Sequence, residues 1–276
     1  MIETDHTSVN DRTLADAAFG SLRGRWPLPT ATTGHQLWLR AVAAGGQGRY
    51  AHAYGDLAVL RRRVSAGPLA SLAHSTQASF LRQLGWHTLA RGWDGRALAL
   101  AGGDPEAAAD ALIGLAADAL GVGRFAAAAT LLTRADPFLA SAGLPERLAV
   151  RRRWVAAELA MASGDGAAAV RRAEEAVELA RDMQTPPSVR HQVKSDVVLA
   201  AALCSAGAVE RARAVAQAAL ADTGQFGLIP LRWALACLLI DISSVTLSPQ
   251  KLREFVEIRD VCAGQVRRAG GNWRSF

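Results

Sequence analysis

GRYAHAYGDLAVL, residues Gly48–Leu60, contains a short sequence pattern that recurs along this chain. In this pattern an alanine lies five residues after a glycine, with an aromatic residue, Tyr50, between them. The same spacing begins again at later glycines, and the intervals between successive glycines are 37, 38, 41 and 43 residues for the series Gly48, Gly85, Gly123, Gly164 and Gly207. A period of this size is the sequence signature of a repeat protein.

Each repeated glycine is predicted to be the hinge of a helical hairpin. It follows an apolar-periodic stretch, and glycine readily adopts the left-handed conformation that ends one helix and turns the chain into the next. Tyr50 and its equivalents should plug the turn, and Ala53 and its equivalents should let the two helices approach closely. The predicted first helices span 35–44, 69–84, 105–120, 146–163 and 188–206, and the second helices span 49–61, 87–101, 124–137, 165–181 and 208–221.

Glycine and proline breakers separate the hairpins at 67–68, 102–105, 143–145 and 185–187, and proline in a first turn is a helix-start signal. A sixth, less regular pair is predicted at 228–243 and 249–268. Ahead of the array, a short helix is predicted over 13–22, with Thr13 and Asp16 at capping-box spacing, followed by an extended linker at 26–29. The predicted divisions are an N-terminal extension (1–33), a hairpin array (34–223) and a C-terminal diverged hairpin or cap with a basic tail (224–276).

The glycine, aromatic and alanine pattern, with proline near the end of each unit, resembles the tetratricopeptide repeat. The resemblance covers about 34–223, although the units are longer than the standard repeat and Ala116, Ala157 and Ala200 replace the glycine of the family's first helix. It implies an all-α solenoid, a right-handed superhelix of five to six antiparallel hairpins. It also implies a non-catalytic module that binds a protein or peptide and acts as an adaptor or regulatory scaffold.

Composition predicts the compartment. The formal net charge is +6, from 31 basic and 25 acidic residues, and every basic residue except Lys194 and Lys251 is arginine. Together with abundant alanine, this is typical of a GC-rich bacterial genome such as that of an actinobacterium. The three cysteines are widely spaced in apolar sequence, which favours reduced, packed thiols. The sequence opens without a signal-peptide pattern, and no apolar run reaches the roughly 20 residues of a membrane span. We expect a cytoplasmic protein with no membrane partner.

The sequence carries no common motif for catalysis, cofactor binding or metal binding. It lacks GxxxxGK[ST], a dinucleotide GxGxxG after a strand, HExxH, Gly-x-Ser-x-Gly and cysteine pairs at metal-ligand spacing. The six histidines are dispersed, and the carboxylates single out no acid and base pair. We therefore expect no enzymatic activity, no cofactor and no metal.

The functional surface expected of a solenoid is its concave face, formed mostly by the first helix of each hairpin. Side chains at three- and four-residue spacing share one face of a helix. This rule selects a basic set with two tryptophans: His35, Trp38, Ser75, Ser79, Arg82, Arg151, Trp154, Glu158, His191, Lys194 and Arg232. Such a surface suits an acidic or amphipathic protein segment, because arginine pairs with carboxylates and indole covers apolar groups.

Structural interpretations compete with these functional ones. A tryptophan in a helix, such as Trp38 or Trp154, is more often core packing than a ligand platform. The basic run Arg61 to Arg63 ends a helix, where cations favour the helix dipole. Two other functions also stay open. The first is a nucleic-acid-binding or transcription-regulation accessory protein that uses its arginine-rich surfaces, which requires phosphate contacts clustered on one face. The second is a receptor that binds a small ligand in the groove.

Overall fold

The computed structural model describes residues 3–22, 24–184, 188–243 and 248–274, and within these ranges the chain forms helices and no strand. The helices are α1 (Glu3–Ala18), α2 (Gly34–Gly46), α3 (Tyr50–Arg63), α4 (Pro68–Gln83), α5 (His87–Leu100), α6 (Pro105–Gly121), α7 (Phe125–Leu139), α8 (Arg147–Ala162), α9 (Gly166–Asp182), α10 (Val189–Ser205), α11 (Val209–Gln225), α12 (Ile229–Ser243) and α13 (Pro249–Arg268).

Helices α2 to α13 form six hairpins, in which an even-numbered first helix is followed by an odd-numbered second helix. The predicted hinge glycines separate the helices of the first five hairpins. All five adopt the left-handed conformation, with φ of 76° at Gly48, 88° at Gly85, 76° at Gly123, 78° at Gly164 and 80° at Gly207. The all-α hairpin solenoid is confirmed, and each predicted boundary of a hairpin helix lies within four residues of the observed one.

The predicted start signals also act as expected. Pro68, Pro105 and Pro249 each stand at the beginning of a helix. Asp104 caps α6, because its side chain accepts a hydrogen bond from the main-chain N–H of Ala107 at 2.9 Å. The breaker predicted at 185–187 lies outside the described residues.

The helices form two layers around a central space. Each first helix packs against its own second helix and against the next first helix, so the inner layer consists of α2, α4, α6, α8, α10 and α12. The second helices lie outside them. The hairpin alanines are fully buried, as predicted: Ala53, Ala90, Ala128, Ala169 and Ala212. Because a methyl side chain fills little space, the paired helices approach closely at these positions.

The residue two positions after each hinge glycine does not always plug the turn. Tyr50 does: it is fully buried, and its hydroxyl donates to Gln83 Oε1 at 2.9 Å. Phe125, by contrast, is 39% exposed, so the prediction is wrong for that hairpin. The same main-chain hydrogen bond closes both turns, from the N–H of Arg49 to the carbonyl of Ala44 at 2.9 Å and from the N–H of Arg124 to the carbonyl of Ala119 at 2.8 Å. Tyr50 is buried because Phe80 and Gly271 also lie against its ring.

The first helix of the chain is longer than the one predicted over 13–22. It spans Glu3–Ala18, so Thr13 lies inside it and the capping-box prediction is wrong. The buried face of α1 belongs to the same core as α2 and consists of Leu14, Ala17 and Ala18. The helix continues from this packed part towards Glu3, because extending an existing helix is far easier than starting one.

The last hairpin returns to the first, so the array closes on itself. At the start of α3, the main-chain N–H of Ala51 donates to the carbonyl of Ala269, just after α13, at 2.7 Å. Residues 269–274, named the closing segment, then reach the turn between α4 and α5. There the N–H of Arg274 donates to the carbonyl of Leu84 at 2.9 Å.

Tryptophans reinforce this closure. Trp273 of the closing segment stacks on Trp233 of α12, with 4.1 Å between ring centroids. The indole N–H of Trp86 donates to the carbonyl of Asn272 at 2.6 Å. The inner layer therefore surrounds a central cavity, with the sixth hairpin placed beside the first and second.

Two further properties of the helices bear on the compositional predictions. The three cysteines form no disulfide; Cys262 is buried and Cys204 and Cys237 are half-buried, as packed thiols would be. None of the described helices combines the length and the apolar character that a membrane crossing requires.

Candidate ligand-binding cavity

A cavity of about 570 Å³ lies inside the inner layer. All six first helices contribute to its wall, together with Phe19, which follows α1. Eight of the eleven predicted concave-face residues line it: Ser75, Ser79, Arg82, Arg151, Trp154, Glu158, His191 and Lys194. Helical spacing thus selected side chains that the fold brings together, and their binding of a partner stays a prediction.

On one side of the cavity, Arg82 holds two carboxylates that are fully buried. Its Nη1 donates to Asp94 Oδ2, to Asp118 Oδ1 at 3.0 Å and to the carbonyl of Gly114 at 3.3 Å. Burial raises the pKa of Asp94 to about 7, because desolvation of the carboxylate outweighs its ion pair with Arg82. Burial likewise raises the pKa of Asp118. Because one guanidinium faces two buried carboxylates, protonation of one of these two carboxyl groups is favoured.

Asp110 is the centre of a second charged cluster. Arg151 Nη1 donates to Asp110 Oδ1, and Arg147 Nη1 approaches the same oxygen at 3.3 Å. Ser75 Oγ donates to the other carboxylate oxygen at 2.9 Å, while Arg147 Nη2 pairs with Glu106. Two guanidinium groups are therefore matched by two carboxylates, and neither arginine is left free for a ligand carboxylate without exchanging its partner.

Another part of the wall, formed by α8 and α10, is aromatic. The rings of Trp154 and His191 stack, with centroids 5.4 Å apart and an interplanar angle of 19°. The indole N–H of Trp154 donates to Ser195 Oγ at 2.8 Å, which fixes the ring orientation. Beside it, Lys194 Nζ lies 3.4 Å from Glu158 Oε1, and both side chains are about one-third exposed, at 31% and 32%. This part of the wall offers an apolar platform next to a weakly held ion pair.

Three predicted residues do not line the cavity. Trp38 is 6% exposed, and its indole N–H donates to Thr76 Oγ1 at 3.0 Å inside the core. His35 packs against Trp38, with 5.7 Å between ring centroids. Arg232 Nη1 donates to the carbonyl of Leu220 at 2.9 Å, so it is held against α11 five residues before that helix ends. Packing and capping account for the positions of these side chains.

Several lining residues were missed by the sequence prediction. Arg147 and Arg190 each lie four residues before a predicted member, Arg151 and Lys194, so helical spacing could have found them. Asp110 lies in a first helix for which no residue was proposed. Phe19 and Trp233 have no such signal, because they reach the cavity through the docking of α1 and the closure of the array.

Outside the cavity, charged runs have structural partners. Arg61 to Arg63 occupy the last turn of α3, as predicted for cations at a helix end. Arg172 pairs with Glu175 at 3.0 Å on an exposed face, so the two charges neutralise each other. Among the described residues, no three His, Cys, Asp or Glu side chains are grouped as metal ligands would be.

Comparison with known proteins adds little to this geometry. No protein-family model matches the chain, and no curated protein matches it. Among solved structures, it is similar to BtubC (BKLC) from P. vanneervenii, with 18% sequence identity, coverage of 87% of this chain and 91% of that chain, and a TM-score of 0.48. A likeness at this level carries no argument about function, so the interpretation depends on the cavity and its side chains.

Proposed function

We propose that this chain is a non-catalytic, tetratricopeptide-like module that binds a protein segment or peptide through its inner face and acts as an adaptor or regulatory scaffold. The observation that supports the proposal is the convergence of six first helices on one cavity. Eight residues chosen only for their helical spacing meet there. They combine an indole platform with cationic and anionic groups, as recognition surfaces for amphipathic segments do.

The part of the cavity wall around Trp154 is best suited to such a partner. The Lys194–Glu158 pair is partly solvated, and exposed ion pairs contribute little stability. Lys194 can therefore exchange Glu158 for a carboxylate of the partner at small cost, while Trp154 covers an apolar side chain. Arg82 and Arg151 are held by buried carboxylates and act first as structural residues.

Affinity purification from the native cell, followed by direct binding of the identified partner, tests the proposal. We expect Trp154→Ala and Lys194→Glu each to lower the affinity for that partner by about tenfold or more. Arg134→Glu is the matched control, because Arg134 is exposed on α7 of the outer layer. Equal loss of affinity in the control, or none in the two cavity variants, would remove the inner face as the binding surface.

A receptor for a small ligand is a second candidate, and one observation favours it. The closing segment joins the ends of the array, so the inner face is a bounded cavity. Its volume of about 570 Å³ falls within the range of roughly 300–1,000 Å³ found for small-molecule sites. A metabolite panel that raises the melting temperature would support this candidate, because a ligand that binds the folded state stabilises it.

Nucleic-acid binding has weaker support. Four of the cavity cations are paired with carboxylates. Exposed arginines such as Arg172 and Arg211 also have acidic partners. Phosphate binding would have to break these pairs. Binding to DNA or RNA that falls steeply with salt concentration would support a nucleic-acid-binding function.

A further inference from the structure

Arg190 differs from the other cations of the cavity. Arg82, Arg147, Arg151 and Lys194 each lie within ion-pair distance of at least one carboxylate. Among the described residues, Arg190 has no carboxylate and no main-chain carbonyl as a hydrogen-bonding partner, although it lines the same cavity. A guanidinium stays charged in proteins and presents five N–H donors. Its charge is therefore available to a molecule that enters the cavity.

The position of Arg190 explains why it is left unpaired. It lies in the first turn of α10, and its guanidinium reaches α2, where a methyl group on Gly46 would come within 3.2 Å of Nη1. Glycine at this position gives the guanidinium its space. Burial lowers the pKa of Arg190, since desolvation disfavours the charge and outweighs the opposing electrostatic effect of the Tyr50 hydroxyl.

Apolar groups make up much of the remaining wall. The stacked rings of Trp154 and His191 belong to the fourth and fifth hairpins, and Val42 and Phe80 line the cavity from the first and second. Arg82 Nη2 is also buried and has no hydrogen-bond partner among the described groups. Because Arg82 Nη2 is buried, Arg190 is the arginine of this cavity with N–H donors to offer a ligand, and apolar side chains lie in the same wall.

The balance of charge defines the ligand class. Arg147 and Arg151 are matched by Asp110 and Glu106, and Lys194 is matched by Glu158. Arg82 is matched by two carboxylates of its own, Asp94 and Asp118. One unmatched positive charge remains, on Arg190.

We propose that the cavity binds a small organic monoanion, a carboxylate attached to an aromatic or branched apolar body, with Arg190 as the residue that recognises the carboxylate. The planar fork of arginine fits a carboxylate through two parallel N–H···O bonds. This inference rests on the second candidate function, a receptor for a small ligand. It adds the chemical class of that ligand and the residue that selects it.

Calorimetric titration with phenylacetate, benzoate, cyclohexanecarboxylate and indole-3-acetate tests the proposal, with phenylacetamide and indole-3-acetamide as neutral counterparts. We expect at least one carboxylate to bind and its amide to bind about tenfold or more weakly. Arg190→Gln should lower the affinity for the carboxylate by about the same factor and leave the affinity for the amide unchanged. Arg190→Lys should restore part of the lost affinity. Arg134→Gln is the control for removal of an exposed arginine.

The ligand-free protein provides a second readout. An unpaired, desolvated cation destabilises the fold, so Arg190→Met should raise the melting temperature while it lowers carboxylate binding. A lower melting temperature would mean that Arg190 is structural and would overturn the proposal. Binding of amides or other neutral molecules but of no carboxylate would overturn it and leave the receptor function standing. Failure of every small molecule to bind would overturn both the proposal for Arg190 and the receptor function.

Discussion

Trp38 and Trp154 occupy the same position in their hairpins, ten residues before the hinge glycines Gly48 and Gly164, and each donates its indole N–H to a hydroxyl of the next first helix. Trp38 reaches Thr76 Oγ1 at 3.0 Å, and Trp154 reaches Ser195 Oγ at 2.8 Å. Their burial differs, because Phe19, which follows α1, packs against Trp38 with 5.6 Å between the ring centroids. One repeat position therefore serves the core in one hairpin and lines the cavity in another.

This difference predicts unequal costs for the same substitution. Trp38→Ala should lower the free energy of unfolding by about 3–5 kcal/mol, as removal of a large buried aromatic does. Trp154→Ala should cost about 1–2 kcal/mol, because its ring is only partly buried. Urea denaturation followed by circular dichroism measures both. Equal costs would contradict the assignment of Trp38 to the core and Trp154 to the cavity wall.

The buried Asp94 predicts an unusual dependence of stability on pH. Since its pKa is raised to about 7 in the folded protein and is about 3.9 in an unfolded chain, the folded state retains a proton that the unfolded state releases. Asp94 therefore contributes a loss of stability as pH rises from about 4 to about 7, at most about 1.4 kcal/mol per pH unit. Denaturation at several pH values should show this contribution disappear in Asp94→Asn. Parallel curves for the two proteins would contradict it.

Gly164 and Gly55 form a matched pair of glycines, because a methyl group added at either position would meet open space. Gly164 has a φ of 78°, where an L side chain is strained, so Gly164→Ala should cost about 1–2 kcal/mol. Gly55 is exposed inside α3, and Gly55→Ala should add about 0.4–1 kcal/mol by restricting the unfolded chain. Thermal unfolding measures both changes in stability, which should have opposite signs. Destabilisation by both substitutions would show that the main-chain conformation of each glycine does not determine the effect.

The closing segment can be tested through Trp273. Trp273→Ala removes the stack on Trp233, a kind of ring pair that contributes about 0.5–1.5 kcal/mol beyond the area it buries. The segment should then detach more often. Hydrogen exchange should report faster exchange at Ala51 N–H, whose acceptor is the carbonyl of Ala269, and unchanged exchange within α8. Acceleration of exchange throughout the chain would indicate global destabilisation.

The hairpins were predictable because their signals are local. Glycine at a left-handed turn and alanine at a helix contact act within one repeat, so Gly123 and Ala128 identified a hairpin without knowledge of its neighbours. Phe125 shows the limit of this reasoning. Its turn carries the same main-chain hydrogen bond as the turn of Tyr50, so burial of the aromatic residue depends on contacts from outside the hairpin, such as that of Phe80 with Tyr50.

The cavity was only partly predictable, because its wall combines residues that are distant in sequence. Helical spacing places Arg82 and Arg151 on inward faces, but it does not reveal that Asp94, from a second helix, reaches Arg82 across the space left by Gly114. The roles of these arginines as structural ion-pair partners therefore emerge only from the fold. Trp233 likewise depends on the position of the last hairpin.

The hydrogen bond between Ala51 and Ala269 also constrains how such a chain can evolve. An open solenoid tolerates gain or loss of a hairpin, because each unit contacts only its neighbours. Here a seventh hairpin would displace residue 269 from residue 51, and a missing one would leave a gap between the same two residues. Gain or loss of a whole hairpin would therefore break the contacts that close this array, whereas substitution of a wall residue such as Trp154 would leave them in place.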